Sequence, residues 1–318
     1  MTNINHIVDA DARTGQIQAV LRVTGRVITF SKHGVPHLKL RLESCHTRLI
    51  GFLNMETHSL PEDIGYLELV RVRGYIVTTR TKRFLLVDHL GKADRETRRK
   101  LPALETLPQS CAADSQSLET LVHWVRNLDN PHLQAFVRHV LERRDRLEVF
   151  LRAPASRRYH HSYPGGLLDH SLEVSRAVMG MVQLHEPDSP QDLKEAGFVA
   201  GLLHDIGKVF TFNAAGEPTA AARLSDHDAF TLEACATGLA YLDQHQPQLA
   251  MTLRHVWSCA SPGARYGSPA AMTLARYVRD ADGQNAMVAN QRLAFQSRQH
   301  SGFAQIGRNQ YWQPRLDQ

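Results

Sequence analysis

Two stretches of the sequence decide the fold: AGFVAGLLHDIGK, residues 196–208, and PASRRYHHSYPGGLLDHSLEVSRAV, residues 154–178. Small and apolar residues fill positions 196–203, which predicts a buried helix that delivers His204 and Asp205 at its end. In the other stretch a Tyr-Pro-Gly-Gly turn precedes a helical apolar pattern that carries His170 near its start. The two predicted helices can therefore present all three side chains to one point.

A buried Asp at the end of an apolar run needs a partner, because an unpaired buried carboxylate is costly. For an isolated His-Asp dipeptide, that partner is either a set of backbone amides or a metal ion. Imidazole nitrogen and carboxylate oxygen are the usual ligands of zinc, manganese and iron, and such an ion activates water and polarises phosphoryl oxygens. The surroundings of this dipeptide favour a divalent metal ion, with Mn, Fe, Mg and Zn not distinguished. They predict metal-assisted hydrolysis of a phosphate ester.

Basic residues lie just before the helix that carries His170. Arg157, Arg158, His160 and His161 occupy a loop that we expect to face the same point. Such a cluster is either a solvated charged surface or a set of phosphate contacts. The second interpretation makes these four side chains candidate substrate-binding residues.

The order of His170, the pair His204 and Asp205, Lys208 and a late Asp resembles the HD-domain metal-dependent phosphohydrolases, which have an all-helical fold. Within that superfamily, the pattern PAxxxxHHxYPGGLLxH, the HDIGK segment and a later YGSP are similar to YhaM-type 3′-to-5′ exoribonucleases. The first pattern also resembles the HD-like domain of MobH-type (TraI) conjugative relaxases. The resemblance covers roughly residues 118–290 and implies an OB domain before the HD domain.

The resemblance also implies a fourth metal ligand, an Asp on a late helix, within RYVRDADGQNAMV, residues 276–288. Alignment of DGQNA with the family pattern favours Asp282 and puts Asn285 in the accompanying polar position. Asp280 is the alternative. The two Asp residues point to different helix faces, so we expect only one of them to reach the metal.

One element of the family pattern is missing from this sequence. YhaM-type proteins carry a Ser-His-His-Gly element just before the Gly-Ser-Pro, and ungapped counting puts Cys259, Ala260, Ser261 and Pro262 there. Without that histidine pair, the protein either binds a single metal, uses another acid, or is catalytically weakened.

Two other histidines match family positions. His227 in SDHDAF matches the intermediate histidine of the larger HD sites, and His255 matches a histidine just before the missing pair. Each is either an additional metal or acid–base group or an ordinary helix histidine, because a lone residue is a weak motif.

Composition limits the class of protein. The 318 residues carry a net charge of +5, 42% of them are hydrophobic, and the pI is about 9.1. These values fit a protein of more than one domain that tolerates a polyanionic partner. The four cysteines lie too far apart for a zinc knuckle or a disulfide framework. No apolar run suits a membrane span and the start lacks a signal-peptide pattern, so we expect a cytoplasmic protein without a membrane partner. A homo-oligomer is left open.

The first ninety residues are β-rich. HLKLRLE, residues 37–43, alternates most clearly, with its leucines on one face and Lys39 and Arg41 on the other. A short helix or turn, SLPEDIGY, falls between the third and fourth of five predicted strands. This pattern predicts an OB-type barrel, which commonly binds single-stranded nucleic acid through a basic, aromatic-bearing strand face. The predicted strands are Gln18–Phe30, Pro36–Glu43, Thr47–Asn54, Leu67–Thr79 and Arg83–Leu90.

Basic side chains of the predicted barrel are either nucleic-acid contacts or charges that keep sheet edges soluble. They are Arg22, Arg26, Lys39, Arg41, Arg48, Arg71, Arg73 and Lys82. The aromatic side chains Phe30, Phe52, Tyr75 and Phe84 either stack on bases or, for most of them, fill the barrel core.

The predicted organisation has four parts. They are an OB-type barrel over residues 1–90, a linker over 91–115, a helical HD domain over 116–292 and a partly ordered tail over 293–318. The fold class is therefore a multidomain α and β protein, with a five-stranded OB-type barrel followed by an all-α domain. Two amphipathic helices are expected between Leu118 and Leu151.

The predicted function is a metal-dependent phosphodiesterase, a 3′-to-5′ exonuclease that acts on single-stranded RNA or DNA held by the barrel. In it, His170, His204, Asp205 and Asp282 bind the ion, Asp205 orients or deprotonates water, and Lys208 offsets charge on the phosphate. Two alternatives are a nucleotide phosphohydrolase and a nucleic-acid-binding HD/TraI-like module of a conjugative or mobile element with weak or no catalysis. The missing histidine pair favours the module.

Overall fold

The computed structural model describes residues 8–10, 15–58, 64–141, 143–259, 268–296 and 301–314. The chain divides into two compact units, Met1–Val122 and His123–Gln318. The first unit contains the β-barrel and the second contains most of the helices.

The first unit contains a closed barrel of five strands, preceded by a short strand β1 (Val8–Ala10). The barrel strands are β2 (Gln16–Phe30), β3 (Pro36–Glu43), β4 (Arg48–Asn54), β5 (Leu69–Thr78) and β6 (Arg83–Lys92). Their order is β2-β3-β4-β6-β5, and β5 pairs again with β2 to close the sheet. Strands β4 and β6 are parallel and the other pairs are antiparallel. The predicted OB-type barrel is confirmed, whereas the turn predicted over SLPEDIGY lies mostly outside the described residues.

Alternation along β3 shows how the sequence builds the barrel. Leu38, Leu40 and Leu42 are buried in its core, whereas Lys39 and Arg41 lie on the outer surface. Full burial of a leucine contributes about 1.5–3 kcal/mol, so a register slip of one residue would lose several such contributions at once. The leucines therefore fix the direction in which the two basic side chains point.

Gly74 marks a point where the barrel wall accepts no side chain. The register of β5 against β6 shifts between Arg73 and Gly74, and a β-carbon at Gly74 would collide with the carbonyl oxygen of Leu86. Such a bulge bends a strand and increases its twist, which helps a short sheet to close on itself.

The segment that the sequence predicts as a linker hydrogen-bonds to the barrel. It contains α1 (Arg95–Lys100) and two 3-10 turns, Leu104–Thr106 and Gln109–Cys111. The guanidinium of Arg22 donates to the carbonyl oxygen of Thr106 at 3.1 Å, and Glu43 accepts from the backbone amide of Ser110 at 3.0 Å. The basic stretch after the barrel is therefore helical and lies beside structured turns.

The region after these turns is helical, which confirms the predicted all-α part, and it ends in a β-hairpin. The helices are α2 (Ser115–Arg126), α3 (Pro131–Leu141), α4 (Arg144–Arg152), α5 (Gly166–His185), α6 (Gln191–Leu202), α7 (Lys208–Thr211), α8 (Ala221–Leu224), α9 (Asp228–His245), α10 (Pro247–Ser258) and α11 (Thr273–Phe295). The hairpin strands are β7 (Gly302–Ile306) and β8 (Asn309–Gln313).

Two local features differ from the sequence expectation. Three helices, α2, α3 and α4, occupy the stretch for which two were expected, because the charged run ERRDR, residues 142–146, offers no apolar side chain for packing and Arg143 is extended. The hairpin lies in the predicted tail, where strands of five residues are too short for a clear alternating pattern.

Close helix packing positions the residues of interest in the second unit. A β-carbon at Gly201, near the end of α6, would lie 2.9 Å from the Cα of Ser175 on α5. One at Gly197 would lie 2.8 Å from a methyl group of Leu274 on α11. The small residues of the predicted buried helix thus allow α5, α6 and α11 to meet, which brings the end of α6 beside α5.

Within the described residues, no helix combines the length and the hydrophobicity that crossing a bilayer requires.

Replacement of Gly238 by alanine should destabilise the helical unit by about 1–3 kcal/mol, as expected for overpacking. Its β-carbon would lie 2.6 Å from the ring of Phe136, which is completely buried. Chemical denaturation followed by tryptophan fluorescence measures this change, because all three tryptophans lie in this unit.

The matched control is Gly180→Ala, since Gly180 is exposed on α5 and its β-carbon would meet nothing within 4 Å. This change should stabilise the unit by about 0.5–1 kcal/mol through helix propensity. Equal effects of the two substitutions would contradict the packing assigned to Gly238.

Candidate metal centre

Two imidazole nitrogens and two carboxylate oxygens converge in the second unit. Nε2 of His170 lies 3.2 Å from Nε2 of His204 and 3.1 Å from Oδ1 of Asp282, and the latter two atoms are 3.7 Å apart. Oδ2 of Asp205 lies 3.4 Å from the His170 nitrogen and 3.5 Å from the His204 nitrogen. The structure thus brings together the four residues for which the sequence predicts metal binding, named here the ligand cluster.

Local backbone features position each member of the ligand cluster. His170 lies near the start of α5, which begins after Gly165 in the left-handed conformation, with φ 83°. A β-carbon at Gly166 would collide with the carbonyl oxygen of His161, so the Pro-Gly-Gly turn needs this glycine. His204 and Asp205 occupy the turn that follows α6, and Asp282 lies near the middle of α11.

Hydrogen bonds on the far side of each ring fix which nitrogen carries the proton. Nδ1 of His204 donates to the carbonyl oxygen of Gly201 at 2.7 Å, and Nδ1 of His170 donates to Oδ1 of Asn285 at 2.8 Å. The amide nitrogen of Asn285 donates to Glu173, which sets the orientation of that amide. In the neutral rings, both Nε2 atoms therefore carry lone pairs that face the cluster.

The converging atoms are all electron-pair donors, so they repel one another unless a positive charge lies among them. A proton is one such charge: burial lowers the pKa of His170, but its contacts with Asp205 and Asp282 outweigh burial and raise that pKa to about 9. A divalent cation is the other, and two imidazoles with two carboxylates suit zinc, manganese or iron. Orientation of each ring by an acceptor on Nδ1 is the usual arrangement for metal-ligating histidine. The donor set therefore fits a divalent metal ion.

The carboxylate of Asp205 is shared among several groups. Its Oδ1 lies 2.8 Å from Nε2 of His227, and its Oδ2 accepts from Nζ of Lys208, which is also buried. Burial raises the pKa of Asp205, but the charges of Lys208 and His204 outweigh burial and hold it well below its usual range. Burial lowers the pKa of His227, and the hydrogen bond to Asp205 outweighs burial and raises it. The carboxylate is therefore ionised at neutral pH.

A second group of candidate ligands adjoins the ligand cluster. One ligand atom each from Asp205, His227 and Asp228 lie within 4.8 Å of one another. Nε2 of His227 lies 3.3 Å from Oδ1 of Asp228, which is exposed. The sequence predicted His227 as an additional metal or acid–base residue, and the structure brings it to the shared Asp205.

The basic loop before α5 divides into two parts. The ring of His160 lies 5.2 Å from that of His170, and burial together with the nearby His170 and Lys208 lowers the pKa of His160 to about 4. His161 is buried, and its Nε2 lies 3.0 Å from Oδ1 of Asn285. Both rings are thus beside the cluster, where the sequence predicts substrate binding.

Other predicted residues have different surroundings. Arg157 and Arg158 are exposed on the loop, and Asp280 is exposed on α11. His255 belongs to neither candidate ligand group of the described residues, and its Nε2 accepts from the backbone amide of Ala271 at 2.9 Å. Ala260 and Ser261, which stand where YhaM-type proteins carry the histidine pair, lie outside the described residues, as do Pro262 and the first two residues of YGSP.

Two residues of the site had no place in the sequence prediction. Glu173 orients the amide of Asn285 and lies 3.3 Å from Nε2 of His161, whose hydrogen bond lowers the pKa of Glu173 to about 2. Asp228 contacts His227. Their only sequence signal is position, three residues after His170 for Glu173 and directly after His227 for Asp228.

On the barrel of the first unit, most candidate basic contacts have partners within the unit. Arg48 pairs with Glu43, Arg71 with Asp94 and Arg73 with Asp88, and Arg22 and Arg26 donate to backbone carbonyls. Among the ion pairs of the described residues, none includes Lys39 or Arg41. Lys82, between β5 and β6, is likewise in none of these ion pairs. Lys39 and Arg41 are distinguished because they lie together on the outer face of β3.

Aromatic and apolar side chains continue the outer surface beside Lys39. Cross-strand pairing aligns Lys39 with Phe52, Phe52 with Leu86, and Leu86 with Tyr75. Tyr75 and Leu86 are each 44% exposed, and Phe52 contacts Phe84 edge to face, with ring centroids 5.5 Å apart. We name Lys39, Arg41, Phe52, Tyr75 and Leu86 the strand face. Phe30 is also exposed, so the expectation that most of the four candidate aromatics fill the core is wrong.

The chain is similar to exoribonucleases and to a helicase family. The TraI_2 family model, described as "Putative helicase", matches residues 112–216, which is less than half of the chain. The 3′-5′ exoribonuclease YhaM of Shouchella clausii is 30% identical over 107 residues, 34% of this chain and 32% of that protein. YhaM of Bacillus licheniformis is 24% identical over 195 residues, 61% of this chain and 59% of that protein. The similarity to both groups that the motifs indicate is confirmed.

The matches are partial. The aligned part of the chain spans about a third to three fifths of the length of these relatives. Among solved structures, the protein PriB from Ralstonia solanacearum matches with 15% identity, 25% of this chain and 98% of the other, at a TM-score of 0.22, which is too low to support an inference.

The substitution Asp282→Asn should weaken Mn²⁺ binding by at least about tenfold, because it removes a charged ligand from the cluster. Isothermal titration calorimetry on the purified chain measures the affinity. Asp280→Asn is the matched control, since it removes the same charge two residues away at an exposed position and should leave the affinity unchanged. A loss in the control equal to that in Asp282→Asn would contradict the choice of ligand.

Proposed function

We propose that the protein is a metal-dependent phosphodiesterase that shortens single-stranded RNA or DNA from its 3′ end. The observation that carries this proposal is the convergence of two oriented imidazoles and two carboxylates at one point. The similarity to proteins named 3′-5′ exoribonuclease YhaM supports the substrate class and the polarity. The barrel of the first unit supports a strand-binding domain that accompanies a helical HD domain.

The ligand cluster would hold the ion, which when bound supplies a Lewis acid for the phosphoryl group and an activated water. Asp205 keeps its negative charge through Lys208 and His227, so it can serve as a ligand and orient the water at the same time. The direct partner of Lys208 is Asp205, because the ammonium group donates a hydrogen bond to that carboxylate. Any contact of Lys208 with the phosphate is an additional, predicted role.

The loop before α5 would bind the phosphate. His160 is neutral at pH 7, because its pKa is about 4, so it can donate a hydrogen bond to a phosphate oxygen without being charged. Arg157 and Arg158 are exposed and can supply positive charge to the next phosphates of the strand. His161 is held by Asn285 and Tyr163, so it would orient the loop more than it contacts substrate.

The strand face of the barrel would bind the nucleic acid. It combines two basic side chains with two exposed or half-exposed rings in one row, which is the composition that holds a single strand by phosphate attraction and base stacking. Stacking tolerates any base, so this face would bind without sequence preference.

A second function is favoured by the match of residues 112–216 to the TraI_2 family. In that case the protein is a nucleic-acid-binding module of a conjugative or mobile element, and the ligand cluster binds a metal with weak or no turnover. The replacement of the family's histidine pair by Ala260 and Ser261 supports this alternative. A nucleotide phosphohydrolase is the third candidate.

The purified chain with Mn²⁺ and a 5′-labelled single strand should produce a ladder that shortens from the 3′ end. His204→Ala and Asp205→Ala should each lower the rate by at least about a hundredfold, because loss of a ligand removes the ion. Denaturing gel electrophoresis resolves the ladder, and Asp280→Asn serves as the control that keeps full activity.

The other functions give different results in the same assay. Tight strand binding without a ladder, unchanged in His204→Ala and Asp205→Ala, would establish the binding module. Release of phosphate from free nucleotides with intact strands would establish the nucleotide phosphohydrolase. Either result would overturn the nuclease proposal.

Lys39→Ala and Arg41→Ala should each weaken binding of a single strand and reduce the salt dependence of log Kd by about one phosphate contact. Fluorescence anisotropy over a range of salt concentrations measures both quantities. Lys100→Ala is the control, because Lys100 carries the same charge on α1, is not a member of the strand face and pairs with Glu96. If all three variants lose affinity equally, net charge and not the strand face determines binding.

A further inference from the structure

The hairpin of β7 and β8 has one buried face and one exposed face. Tyr311 is buried, whereas Phe303 is 60% exposed and Trp312 is 54% exposed. These two aromatic residues are direct cross-strand partners with ring centroids 4.8 Å apart. The next pair on the same face, Gln305 and Gln310, is also exposed. The outer face thus carries two aromatic rings followed by two amides.

Contacts of the hairpin place it beside the loop that carries His160. A β-carbon at Gly307, in the hairpin turn, would lie 3.1 Å from Oη of Tyr159, so the tyrosine side chain lies against this turn. Tyr159 directly precedes His160, whose ring faces His170. Phe303 lies four positions before Gly307, which corresponds to about 13 Å along a strand. Gln291 of α11 also contacts the backbone of Trp312.

Charge in this region suits a polyanion. Residues 301–314 contain one charged side chain, Arg308 in the turn, and no acidic side chain. Arg157 and Arg158 are exposed on the loop that Tyr159 shares. A cross-strand aromatic pair also stabilises a hairpin by itself, by roughly 0.2–1 kcal/mol. Hairpin stability alone, however, does not account for exposure of more than half of both rings on a hairpin whose turn carries Arg308 and contacts the basic loop.

We propose that Phe303 and Trp312 form a stacking platform for an unpaired base of a single-stranded nucleic acid whose end lies at the ligand cluster. The inference rests on the proposed function for the location of that end. The rings would stack on the base, the two glutamines would meet polar groups of its neighbour, and Arg308 would lie near the phosphates between the platform and the cluster. The hairpin turn, and not the two rings, lies next to the loop that carries His160, so the platform would contact a base away from the reacting end.

The test measures strand binding by the full chain in EDTA, where hydrolysis does not interfere. Phe303→Ala and Trp312→Ala should each weaken binding about 5- to 100-fold, as loss of one stacked base does. Trp312→Phe should retain most of the affinity because it keeps a ring. Leu184→Ala is the matched control, since Leu184 is 74% exposed on α5 and its removal should have no effect.

An abasic scan identifies the stacked base. In the wild-type chain, an abasic nucleotide at one or two positions near the 3′ end should weaken binding by the same factor as the aromatic substitutions. In Phe303→Ala and Trp312→Ala, that position should cause no further loss, because the two changes remove the same contact. Wild-type tryptophan fluorescence should be quenched by the intact strand and less so by the strand that is abasic at this position.

Several results would overturn the proposal. The first two are an unchanged strand affinity in the alanine variants and a loss of affinity at the abasic position that persists in those variants. The third is failure of the wild-type chain to bind any single strand. The fourth is a wild-type dimer in sedimentation that Trp312→Ala dissociates. The last result would assign the rings to contact with a second copy of the chain. A wild-type chain that shows the position-dependent loss but cleaves no strand with Mn²⁺ would overturn the nuclease proposal alone. Cleavage with an unchanged KM in the hairpin variants would overturn the platform alone.

Discussion

The helical unit depends on one constraint: two imidazole nitrogens, which both carry lone pairs when the rings are neutral, lie 3.2 Å apart. Holding them there requires an acceptor behind each ring and requires α6 to end beside α5. Gly201 contributes to both needs, since its carbonyl oxygen accepts from His204 and its missing side chain lets α6 approach Ser175, while Asn285 supplies the acceptor behind His170. A cation among the rings and carboxylates turns their repulsion into attraction, so cation binding and helix packing would stabilise each other.

Much of the fold follows from local patterns. Alternation in β3 and the turn residues between strands predict the five barrel strands, because burial of one face is strongly favourable at every second residue. The division between α3 and α4 and the terminal hairpin were harder to predict. The first depends on a charged stretch that contains no apolar side chain, and the second on how Tyr311 packs into the rest of the unit. Neither the helix division nor the hairpin produces a periodic pattern of apolar residues in the sequence.

The candidate site was predictable to the extent that its residues sit in motifs. His170, His204 and Asp205 stand in stretches whose hydrophobic surroundings indicate buried polar groups, whereas Asp282 required alignment with a family. The role of Glu173 depends on how α5 and α11 face each other, since it acts through an amide on the other helix. Such roles depend on tertiary contacts that spacing along the chain does not encode.

Helix α11 sets a distance. Asp282 and Asn285 lie near its middle and Phe295 at its end, and the rise of 1.5 Å per residue separates Asp282 from Phe295 by about 20 Å. That separation is rigid, unlike one set by a loop. An inserted residue between Asn285 and Phe295 would turn the end of the helix by about 100° relative to the ligand cluster. The helix therefore fixes both the distance and the rotation between its two ends, and point substitutions on its surface change neither.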